Sequence, residues 1–131
     1  MKKSRKDSAA GILAIMPVLR VRGLAKSTRW YKRLGFDLAW AQPNEGGGRN
    51  CMLTCGRVSL MLSTARHLGG KPAFTGTLYF ETKNVRTLYE MARRKRFKFA
   101  WPLEKMTYGT LEFGVRDPDG YILAFAEETG E

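Results

Sequence analysis

The sequence predicts an α+β fold built from two βαβββ modules, and two observations carry that reading. The first is an internal repeat. Phe36, Leu38, Ala39 and Trp40 are matched by Phe97, Phe99, Ala100 and Trp101, each 61 residues further on. At the same offset Leu24 falls on Val85, and Lys32-Arg33 falls on Arg93-Arg94. Similar pieces at a fixed period mark a duplicated unit. The second observation is the order of hydrophobic patterns. Each copy reads strand, helix, strand, strand, strand.

In the first copy, residues 15–22 alternate as a strand. Residues 25–34 read as a helix, with Trp30, Tyr31 and Leu34 on its apolar side and Gly35 past its end as a cap. Residues 36–42 form a strand, and "PNEGGGRN" (43–50) is a turn-rich loop. Residues 50–55 and 58–63 pair as a hairpin around Gly56-Arg57, and 64–74 form a Gly- and Pro-rich linker. The second copy repeats the order. Residues 76–82 are a strand, 85–95 a helix, 96–101 a strand, and 107–116 with 121–126 a final hairpin. Between the last two strands, Asp117-Pro118-Asp119-Gly120 suits a type I turn. Its two carboxylates supply too few oxygens for calcium.

At 131 residues, with 44% hydrophobic and 27% charged residues, the chain suits one domain with a real core. Residues 1–12 are expected as a disordered basic tail, and 13–128 as a single domain with modules 13–63 and 74–128. The start resembles a signal peptide in charge. However, Pro17 interrupts its apolar run, no small-x-small cleavage site follows, and the run passes into strand alternation. A cytoplasmic location is therefore expected. No apolar run approaches the roughly 18 residues of a membrane span. Cys51 and Cys55 on one strand would lie roughly 13 Å apart, too far for a disulfide. One histidine and this spacing make no zinc site. The net charge of +11 favours acidic partners. The runs Lys2–Lys6 and Arg93–Lys98 are read as a solvated tail and a solvated helix end. No stacking aromatics interleave them, so nucleic acid is not an expected partner.

Two segments resemble a known family. "PVLRVRGLAKSTRWYKRLGF" (17–36) is similar to the opening of glyoxalase I and of the bleomycin-resistance proteins, and "FGVRDPDGYILAFAE" (113–127) to their closing hairpin. Together they resemble the vicinal oxygen chelate superfamily, which includes extradiol dioxygenases, over residues 15–127. The resemblance implies paired βαβββ modules forming a curved mixed sheet around a cup. In metal-dependent members, one side chain on the first and last strand of each module holds a divalent ion. Those positions here are Met16, Met61, Thr77 and Ala124. Two thioethers, a hydroxyl and a methyl do not supply what a hard cation needs. The resemblance, read through these residues, implies a metal-free protein without a cofactor, nearest the bleomycin-resistance type.

Strand alternation then assigns faces. Leu19, Val21, Val58, Leu60, Leu62, Leu78, Phe80, Leu111, Phe113, Val115, Leu123 and Phe125 should lie under the helices. The other parity, including Met16, Arg20, Met61, Thr77, Tyr79, Glu81, Glu112, Gly114 and Ala124, should face the cup. Arg20 could grip a ligand carboxylate, and Glu81 or Glu112 could bind a ligand cation or act as a base; a self-satisfying Arg–Glu pair is the competing reading. Tyr79 is a stacking candidate. Trp40 and Trp101 share parity with Phe36 and Phe97, so capping the core competes with ligand contact. Tyr108 and His67 lie near loops within reach of a ligand.

The expected function is binding or sequestering a small aromatic or hydrophobic molecule, as in antibiotic resistance, by a homodimer. The basic chain suits a neutral or anionic ligand better than a cationic one. The alternative is a metal-independent isomerase or lyase with Glu81 or Glu112 as base.

Overall fold

A computed structural model describes residues 10, 11, 13–43, 49–65 and 68–129. The elements run β1 (Val18–Arg20), α1 (Leu24–Leu34), β2 (Asp37–Pro43), β3 (Arg49–Cys55), β4 (Val58–Ser63), β5 (Thr77–Glu81), α2 (Val85–Arg94), β6 (Phe99–Lys105), β7 (Thr110–Arg116) and β8 (Ile122–Glu128). The strands form two four-stranded mixed sheets of the same order, β1-β4-β3-β2 and β5-β8-β7-β6. In each, the first strand runs parallel to the last and the other pairs are antiparallel. The duplication read from the 61-residue offset is therefore a duplication of topology.

The helices end alike, with one exchange of residue type. Gly35 follows α1 at φ 125, and its neighbour Phe36 donates its N–H to Tyr31 at 3.0 Å. The equivalent place after α2 holds Arg96 at φ 61, and Phe97 donates to Ala92 at 2.9 Å. The left-handed turn that a glycine usually makes is here made by an arginine, at some conformational cost. Strand β6 begins at Phe99 and not at Arg96 because the chain turns at 95–96 and enters the ladder only three residues later. Pro102 lacks an N–H, which an edge strand such as β6 tolerates. Strand β1 is also shorter than expected, so Met16 precedes it.

The core lies between helices and sheets as expected from alternation. Leu19, Val21, Leu60, Leu62, Phe113, Val115, Leu123 and Phe125 are buried with Tyr31 and Leu34 of α1 and Val85 and Ala92 of α2. Val58 departs from the pattern and is 38% exposed. The two modules share this core. Phe36 meets Phe80 at 6.3 Å, Phe80 stacks on Phe125 at 5.0 Å, and Trp30 meets Phe97 at 5.2 Å.

The turn before β8 also ties the modules. Gly120 N–H donates to the Asp117 carbonyl at 3.0 Å, as a type I turn requires. The Asp117 carboxylate accepts from the N–H groups of Asp119 and Tyr121 at 2.8 and 3.0 Å, and from the Tyr31 hydroxyl of α1 at 2.7 Å. Asp119 accepts from the Arg22 N–H and guanidinium and from the Ser27 hydroxyl at the start of α1. The closing turn of module two is thus fastened to the helix of module one.

Candidate ligand cup

The face of each sheet away from the helices forms the candidate site. Cross-strand partners share a face, so the registers give a row of four side chains across each sheet. In module one the row is Trp40, Met52, Met61 and Val18. In module two it is Trp101, Gly114, Ala124 and Tyr79. The rows correspond strand for strand.

The two tryptophans stand where simple alternation did not put them. Leu38 pairs with Leu53 but Trp40 pairs with Met52, one partner residue on instead of two. The same slip separates Phe99 with Val115 from Trp101 with Gly114. Each bulge turns the strand over. Leu38 and Phe99 keep the helix side, while Trp40 and Trp101 move to the cup side. The shared parity with Phe36 and Phe97 was misleading for this reason.

Module two supplies the more developed surface. The indole of Trp101 lies flat on Gly114, close enough that a Cβ there would meet its ring carbons at 2.9 Å. A glycine inside a strand often marks such a close approach, and this signal was present in the sequence. The Trp101 Nε1–H is buried without a hydrogen-bond partner among the described residues. Glu112 is buried, and its Oε1 accepts from the hydroxyls of Tyr79 at 2.8 Å, Tyr108 at 2.9 Å and Thr110 at 3.0 Å. Tyr79 stands on β5 and Glu112 on β7, so the Tyr79 side chain spans β8 between them. The small Ala124 and Ala126 on β8 leave room for that crossing. Burial, followed by the bond to Glu112, raises the Tyr79 hydroxyl above its ordinary pKa. The bond to Glu112 pushes Tyr108 up to about 12. Both phenols therefore remain donors across the physiological range.

The expected candidates fall into place unevenly. Tyr79, Glu112 and Tyr108 come together, with Trp101 on the same sheet face. Glu81 is exposed and lines, with Tyr79, a cleft of about 680 Å³ at the seam between modules, walled also by Pro17 and Ser59. Both also line a neighbouring cleft of about 550 Å³ with Lys83 and Thr110. Arg20 is corrected. Its guanidinium donates to the Gly69 and Gly70 carbonyls at 2.9 and 3.5 Å and to the Val21 carbonyl at 2.6 Å, and forms no pair with Glu81 or Glu112. Arg20 fixes the loop between modules. Met61 and Trp40 belong to the other row, and His67 lies outside the described residues. The Thr110 hydroxyl on Glu112, and Gly114 as the bed of Trp101, are contacts that alternation alone did not indicate.

At the four places where the resemblance implies metal ligands, Met61 and Ala124 stand in the rows, while Met16 and Thr77 lie outside them. Among the described residues no three His, Cys, Asp or Glu side chains converge. This donor set does not fit a divalent ion.

Paired βαβββ modules with an open sheet face define a class of small proteins that hold ligands or metal ions in a cup. The chain belongs to the Glyoxalase/Bleomycin resistance protein/Dioxygenase superfamily, whose sequence profile matches residues 11–125. Solved structures share the fold at low identity. A glyoxylase/bleomycin resistance protein/dioxygenase domain from Frankia sp. EAN1pec is 19% identical with a TM-score of 0.73, over 89% of this chain and 98% of that one. TioX from Micromonospora sp. ML1 is 20% identical with a TM-score of 0.69, over 88% and 95%. A lactoylglutathione lyase from Agrobacterium tumefaciens is 18% identical with a TM-score of 0.67, over 87% and 92%. No curated protein matches in sequence.

Proposed function

We propose that this protein is a metal-free binder that sequesters a small aromatic or hydrophobic molecule on the cup face of module two, in the manner of an antibiotic-resistance protein. The observation that carries the reading is the Trp101 indole laid flat on Gly114 in the same cross-strand row as Ala124. A half-buried aromatic plane suits stacking of a planar ligand. The hydroxyls gathered on Glu112 and the clefts beside Tyr79 add polar groups to an apolar wall, the usual make-up of a small-molecule site. The test is titration with planar aromatic antibiotics and metabolites, followed by tryptophan fluorescence. Quenching at micromolar concentration is expected. It should be lost in Trp101→Phe and kept in Trp40→Phe. Silence across the whole panel sinks the reading.

A homodimer would cover the exposed Ile15, Met16 and Val18 beside the cup. Light scattering that gives the mass of a single chain rules the dimer out.

The second reading is a metal-independent isomerase or lyase. It is favoured by Glu112, a buried carboxylate whose three described bonds all fall on Oε1. Oε2 would then be the oxygen that takes a substrate proton. Turnover that survives in Glu112→Gln excludes this role.

A further inference from the structure

The helix side carries a charged surface that the cup does not use. Helices α1 and α2 end beside each other and are clasped there. Arg33 donates from Nη2 to the Lys95 carbonyl at 2.6 Å, and Lys95 donates from Nζ to the Arg33 carbonyl at 3.1 Å. The Arg33 guanidinium also sits 4.8 Å from the centre of the Phe97 ring. The clasp joins Arg29, Lys32 and Arg33 of α1 to the run Arg93–Lys98. All of these basic side chains are exposed. Among the described residues, the one ion pair in this set is Arg93 with Glu90, at 3.1 Å. A helix dipole accounts for cations in a last turn. It does not account for Arg96 and Lys98, which lie beyond α2. Concentrating like charge this way costs repulsion that an anionic partner would relieve.

We propose that this face docks the phosphodiester backbone of a nucleic-acid duplex. Arginine forks and lysine ammonium groups match phosphate oxygens, and such contacts need charge without base readout. Among the described residues the patch exposes no aromatic platform for unstacked bases. Trp30 is half-buried against Phe97, which is itself buried. Single strands, which bind by stacking, are disfavoured accordingly. The same lack of apolar anchors disfavours a membrane surface or a protein interface. Taken alone, the run at 93–98 looked like a solvated helix end. The fold adds the end of α1 to it.

The test is fluorescence anisotropy with a labelled 20-base-pair DNA duplex at graded salt, beside a matched RNA duplex, a single strand and anionic phosphatidylglycerol vesicles. Two variants lose the same charge. One is Lys32→Gln/Arg94→Gln/Lys98→Gln in the patch, outside the Arg33–Lys95 clasp. The other is Arg49→Gln/Lys71→Gln/Arg86→Gln, elsewhere on the surface. All six side chains are exposed, so both variants should fold, which circular dichroism checks. The wild type should bind a duplex with a dissociation constant of about 1–100 µM, weakening steeply with salt. The patch variant should lose at least about tenfold, with a salt slope shallower by about 2–3, while the control stays within about threefold. Preference between the DNA and RNA arms identifies which duplex is held. Absence of duplex binding, equal losses in the two variants, tighter binding of the single strand, or capture of vesicles in place of the duplexes each overturns the proposal.

Discussion

Ala124 is fully buried on the cup face, although nothing in its own size demands it. Its neighbour in the row is Tyr79, whose side chain reaches across β8 to Glu112. The sequence places this methyl group where the family resemblance implies a metal ligand. The tyrosine over the same strand was not legible there, because it depends on the β5–β8 register. The consequence is a specific expectation for Ala124→Glu. This change restores a carboxylate at a position where the metal-dependent relatives are expected to carry one. Here it buries a charge beside no cation, a situation that costs about 3–5 kcal/mol. Melting should fall by on the order of 10 °C or more. Added zinc or manganese should not restore it, because Met61, Met16 and Thr77 offer no matching donors. Recovery of the melting temperature by a stoichiometric divalent ion would overturn the metal-free reading.

The elements that carry the site were legible in kind and order, but their facing was not. Period-two alternation placed the core residues of β1, β7 and β8 correctly, and Leu60 and Leu62 of β4, with Val58 the exception. It failed on β2 and β6 because a bulge shifts the facing by one residue, and no local residue pattern announced the bulge. The closing turn was legible as a turn, while its grip on α1 depends on contacts across the whole fold. That grip has a pH signature. Burial pushes the Asp117 carboxyl above its ordinary value and outweighs the bonds from Tyr31 and the two backbone N–H groups. A carboxyl with a raised folded pKa favours folding when protonated. Its contribution is present below the unfolded pKa, about 3.9, and fades as pH rises through the higher folded value. Compared with Asp117→Asn, which stays neutral, the wild type should therefore lose stability between about pH 4 and neutrality. Thermal melts of both proteins across that range should show a widening gap, and a constant gap would contradict the sign. Asp117→Ala strands three donors at once and should cost about 2–4 kcal/mol near pH 4, and less as pH rises through the raised folded value.

At the scale of the molecule, the repeat disclosed two similar halves but not how they are joined. Among the described residues no hydrogen-bonded ladder links the two sheets. The joint is made of side chains instead. Phe80 touches Phe36 of the first module and Phe125 of the second, Trp30 packs on Phe97, and Asp117 and Asp119 hold α1. Such a shared core makes the modules one cooperative unit. Single-tryptophan variants that keep only Trp40 or only Trp101 would report on one module each. Their unfolding in guanidinium chloride should share one midpoint with far-ultraviolet circular dichroism. Phe80→Ala removes the ring at the centre of the joint and should cost about 3 kcal/mol. It should move both tryptophan midpoints together. Two separate midpoints, or a shift confined to the Trp101 probe, would mean that the modules fold independently and that the seam cleft is held only by a flexible joint.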